Sequence, residues 1–87
     1  MDTREALLSV EKIIREYGDS KALNSYFLEF GRRLEVLRLV GRWCARGASV
    51  VDLGAQPFII SCALKAMGYD VTAVDVEPEP YMPIAER

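Results

Sequence analysis

Two acids and a glycine form the most pointed chemical pattern in the chain. Val50-Val51-Asp52-Leu53-Gly54 is a short apolar run that holds one carboxylate and stops at a glycine, and a second apolar run, Val71 to Val76, ends around Asp75. A strand that ends in glycine and leads into a helix offers backbone N–H groups at the helix start, and the missing side chain lets a ligand come close. An acid about twenty residues further on, at the tip of the next strand, can accept hydrogen bonds from the two hydroxyls of a ribose. Gly54 and Asp75 have that relation. They predict a nucleoside-binding crevice at the carboxyl ends of two parallel strands.

Local signals say how those residues are carried. Ser49 to Leu53 reads as a strand from its β-branched content and its short length between glycines. Pro57 suits the first position of a helix, where its missing N–H needs no partner, and Ile59, Ile60, Ala63, Leu64 and Met67 supply a buried face with Ser61 and Lys65 outward. Gly68 closes this helix. The second strand, Val71 to Val76, is nearly continuous in apolar residues, which predicts burial on both faces. The whole is one βαβ unit, and its right-handed crossover would turn Gly54 and Asp75 toward a common crevice.

Two helices are predicted before this unit. Asp2, with Glu5 three residues on, has the form of a capping box ahead of Leu7, Val10, Ile14 and Tyr17, with Leu8 and Ile13 beside them. Gly18 ends that helix, and Asp19 or Ser20 can cap the next. Leu23, Tyr26, Phe27, Phe30, Leu34, Leu37 and Cys44 then keep one stripe, with Gly31 and Gly41 as places for a kink or a close backbone approach. Gly47 is suited to a helix C-cap. The expected fold is α/β, with a helical segment over 1–47, a βαβ unit over 48–76 and a Pro-rich segment over 77–87, where Pro78, Pro80 and Pro83 stop any strand.

The stretch Val50 to Phe58, followed by Gly68-Tyr69-Asp70-Val71-Thr72-Ala73-Val74-Asp75, resembles the first two motifs of the class I S-adenosylmethionine-dependent methyltransferases. In that family the first strand ends hydrophobic-Asp-hydrophobic-Gly. The resemblance implies a Rossmann-like fold in which Asp52, Gly54, Ala55 and Gln56 lie along the methionine and ribose parts of S-adenosylmethionine, with Asp75 gripping the ribose and Val76 beside it. A nicotinamide or flavin site fits less well, because its Gly-x-Gly-x-x-Gly would need glycine at Gln56 and Ile59. The chain also departs from the methyltransferase pattern: Gln56 and Phe58 stand where the second and third glycines usually are. Gln56 either reaches the cofactor or is a solvent-exposed loop side chain.

The resemblance covers two strands of a seven-stranded sheet. It implies the N-terminal, cofactor-binding part of a methyltransferase-like protein, incomplete for catalysis alone, and it names no catalytic residue. The alternative is a non-catalytic methyltransferase-like module whose role is association. In either case two sheet edges stay open, which predicts a homo-oligomer or a partner chain that supplies further strands.

Composition narrows the classes. The 87 residues include no histidine, and Cys44 and Cys62 are far apart, so zinc-ligand spacing and histidine-based catalysis are absent and each cysteine is expected to pack as a small hydrophobe. No apolar run is long enough for a membrane span and the N-terminus lacks a signal-peptide pattern, so the expected location is cytoplasmic. One Asn and one Gln among many Glu and Arg lean toward a thermophile. Arg32, Arg33, Arg38, Arg42 and Arg46 lie on one helical segment; a solvated face is the favoured reading and a salt-sensitive nucleic-acid contact the weaker one. Tyr26, Phe30 and Arg33 are weighed likewise as ligand contacts and are expected to be a core stripe with a flanking exposed arginine.

Overall fold

The structure, a computed structural model, describes residues 2–53 and 58–75. Its elements run α1 (Thr3–Tyr17), α2 (Ser20–Leu28), α3 (Phe30–Trp43), β1 (Ser49–Leu53), α4 (Ile59–Ala66) and β2 (Asp70–Val74). This is a mixed α/β arrangement with three helices before the first strand. No helix among the described residues is long and apolar enough to cross a membrane.

Caps set the helix starts. Asp2 accepts a hydrogen bond from the Glu5 N–H at 2.8 Å, and Asp19 accepts one from the Ala22 N–H at the same distance; each satisfies a backbone donor that lacks an intrahelical partner. Gly18 ends α1 by donating its N–H to the Ile14 carbonyl. The expected single second helix is broken, and the break lies at Glu29 rather than at Gly31 or Gly41. Glu29 leaves the helical region (φ −110, ψ 17), and its N–H still bonds back to the Ser25 carbonyl. The turn lets α2 and α3 press different faces on α1. Gly47 lies beyond the α3 C-cap, Cys44, in a turn closed by the Ala48 N–H on the Ala45 carbonyl, and its φ of +85 is one that glycine adopts without strain.

The core joins Leu7, Val10 and Ile14 of α1, Ala22 and Tyr26 of α2, Leu34 and Leu37 of α3, and Phe58, Ile59, Ala63 and Leu64 around α4. Helix α1 packs on α4, and α4 packs on β2. Cys44 and Cys62 form no disulfide with each other and pack against this core as expected. The two strands are parallel and pair in register from Ser49 with Asp70 to Leu53 with Val74. Side chains alternate across a strand, so Val50, Asp52 and Val71 look toward the core, half-buried. The opposite face is open: Val51, Leu53 and Val74 are 61%, 75% and 46% exposed. The expectation of a second strand buried on both faces is thereby corrected, since nothing among the described residues covers that side.

Candidate functional site

Asp52 is the next-to-last residue of β1, paired with Ala73 and turned toward the helical layer. The Ser61 hydroxyl donates to its Oδ2 at 2.6 Å. Ser61 is the third residue of α4 and is buried, whereas the sequence places it outward. The Asp52 carboxylate at the end of β1 reaches the first turn of α4, where a small polar side chain meets it. A charge-assisted bond of this length is among the stronger hydrogen bonds of proteins. It ties the strand end to the helix start, on either side of residues 54–57.

Phe58 opens α4. Its φ of 72 and ψ of 20 lie in the left-handed region, its carbonyl accepts the Cys62 N–H at 3.0 Å, and its ring is 2% exposed. A bulky residue seldom adopts positive φ. Burial of an aromatic ring, worth a few kcal/mol, offsets a backbone cost of roughly 1–3 kcal/mol. Among the described residues Phe58 is the one non-glycine residue with positive φ.

Asp75 directly follows β2 and is half-buried. Because Leu53 pairs with Val74, both strands end at one level, and Asp75 belongs to the same sheet end as Asp52 and Leu53. Gly54, Ala55, Gln56 and Val76, the other predicted site residues, lie outside the described residues, as does the segment 77–87. Ser61, which the sequence reading assigned to solvent, joins the site. Its signal was available in principle, since a hydroxyl three places into a short apolar helix has few other polar partners.

Other sequence candidates fall away from this end. The Tyr26 hydroxyl donates to the Leu7 carbonyl at 2.8 Å in the buried core, and Phe30 is half-buried beside it, edge to face at 5.7 Å. Arg33 is corrected from exposed to buried. Its guanidinium donates to the Ser25 carbonyl at 2.7 Å, to the Ser25 hydroxyl at 2.9 Å and to Glu29 at 3.2 Å, which clamps the α2–α3 turn. Burial lowers the Arg33 pKa while the Glu29 charge opposes that shift, and an arginine remains charged in either case. Phe27, expected along the buried stripe, is 51% exposed. The turn at Glu29 takes the two halves of the stripe out of line.

Comparison with known proteins gives no match: no family model, no curated protein and no solved structure is significantly similar to this chain.

Proposed function

We propose that the chain is the S-adenosylmethionine-binding N-terminal part of a methyltransferase-like protein. One observation carries this reading: β1 and β2 are parallel neighbours in register, so that the Asp52-Leu53 end of β1 and Asp75 belong to the same sheet end. Parallel strands bind ligands at their carboxyl ends. Two further features support it. The left-handed Phe58 keeps the backbone shape of a motif glycine, and Ser61 fixes the Asp52 carboxylate before any ligand arrives. In this reading Asp75 accepts the ribose hydroxyls, and Asp52, Gly54, Ala55 and Gln56 border the amino-acid and ribose parts.

The bare side of the sheet adds a partner. Val51, Leu53 and Val74 form an apolar strip next to two strand edges that no described residue pairs; such edges pair with further strands. A second copy or another chain supplies those strands and with them the remaining cofactor and substrate contacts. The same strip favours the alternative of an association module without cofactor.

Calorimetric titration of S-adenosylhomocysteine, with light scattering on the same sample, separates the two. Micromolar binding that is lost in Asp75→Ala supports the cofactor site. A stable oligomer that binds no S-adenosylhomocysteine overturns it in favour of the association module.

A further inference from the structure

The end of α3 presents an arrangement that neither the cofactor site nor the sheet uses. Arg38, Arg42 and Arg46, four residues apart, line a cleft of about 420 Å3 together with Asp2, Thr3, Gly41, Cys44, Met67 and Tyr69. It lies beside Arg46 and Tyr69, which precede β1 and β2, and so at the opposite end of the strands from Asp75. Among the described residues no carboxylate is within ion-pair distance of Arg42 or Arg46; Arg38 is paired with Glu35 at 3.1 Å. Asp2, the acid in the cleft, caps the Glu5 N–H. With Arg38 compensated by Glu35, the guanidinium groups of Arg42 and Arg46 against the single carboxylate of Asp2 leave the cleft net basic and a site for anions.

Beside it stands Trp43. The indole is 77% exposed, with Leu39 exposed one turn before it, and the Arg42 guanidinium sits over one ring face at 5.8 Å. That contact is a cation–π pair. It holds the ring next to the cleft, and the high exposure leaves the indole open to a stacking partner. A solvated arginine face alone, the reading favoured from sequence, does not account for a tryptophan held in water by the same arginine.

We infer that the Arg38–Arg42–Arg46 cleft and Trp43 together form a binding surface for single-stranded nucleic acid, phosphates in the cleft and a base stacked on the indole. Phosphate plus π-face is the chemistry that a basic groove with an adjoining aromatic platform recognises. Arginine forks suit phosphate oxygens. The net charge of −2 keeps such binding local and weak. The site is independent of the cofactor reading.

Trp43 is the sole tryptophan in the chain, so its fluorescence reports the surface directly. The probes are a twelve-residue oligothymidylate and the matching oligouridylate, with thymidine monophosphate and inorganic phosphate at equal phosphate concentration. The expected result is quenching with a Kd of about 10−6 to 10−4 M at physiological salt, tightening as salt is lowered. For two to three phosphates the slope of log K against log salt falls between about −1.4 and −2.1. Arg46→Gln lowers that slope by about 0.7, and Trp43→Ala weakens binding about ten-fold by a label-free readout. All these side chains are exposed, so the variants keep the fold, which circular dichroism checks. Quenching by monophosphate or phosphate to the same degree would overturn the inference in favour of a plain anion site. So would a salt-independent Kd, unchanged binding in Trp43→Ala, no binding at all, or a self-association that Trp43→Ala abolishes.

Discussion

The Ser61 hydroxyl lies 2.6 Å from Asp52 Oδ2 and joins the first turn of α4 to the end of β1. It brackets the four residues between Leu53 and Phe58 with one short bond. No buried side-chain N or O among the described residues lacks a partner, and removal of this donor breaks that balance. Ser61→Ala is expected to cost about 1–3 kcal/mol, the range for hydrogen bonds to charged groups and for orphaned polar atoms. Ser61→Thr keeps the hydroxyl and loses less. Urea unfolding midpoints of the two variants check this; an Ala variant as stable as the parent means that water replaces the hydroxyl.

Phe58 contributes two opposed terms, a buried ring and a left-handed backbone. Both Phe58→Ala and Phe58→Gly lose the ring, at about 3–5 kcal/mol. Glycine also relieves the backbone, so Phe58→Gly should be the more stable of the two by about 1 kcal/mol. Thermal melts of the pair give the order, and the reverse order contradicts the positive φ.

Two glycines should respond to alanine with opposite signs. A Cβ on Gly18 would meet the Ile14 carbonyl oxygen at 2.8 Å, a backbone atom that cannot move aside without disturbing the end of α1. A Cβ on Gly31, in the first turn of α3, meets nothing within 4 Å. Gly18→Ala is expected to destabilise by about 1–3 kcal/mol, and Gly31→Ala to stabilise by up to about 1 kcal/mol through helix propensity. Denaturant titration of the two single variants reads both signs.

Glu29 gives the α2–α3 turn its pH dependence. The hydrogen bond from Arg32, and then the charges of Arg32 and Arg33, hold the Glu29 carboxyl below its ordinary value of 4.5. A carboxyl whose pKa is lower folded than unfolded contributes stability at pH above 4.5, and that contribution is lost as pH falls through the folded value. Unfolding midpoints measured from pH 6 down to pH 3 should therefore fall. In Glu29→Gln the part of the slope below pH 4.5 flattens, while an unchanged slope assigns the acid sensitivity to other carboxyls.

The caps at Asp2 and Asp19, the stop at Gly18 and the span of β1 were legible in the sequence, because each depends on residues within about four positions of one another. Asp52 and Asp75 are related differently, through spacing along one βαβ unit rather than through near neighbours. The parallel register that joins the two strand ends is the tertiary counterpart of that spacing.

Tertiary structure alone decided which side of an element is covered. Ser61 turned inward because β1 brings a carboxylate to the first turn of α4, and Arg33 was buried because the chain bends at Glu29 and folds Ser25 back over it. The same bend left Phe27 in water, although its spacing continues a buried stripe. Val74 is exposed on a strand whose composition reads as fully buried. Periodicity records which side chains share a face; whether that face meets core or solvent depends on elements distant in sequence, and no local pattern encodes their position.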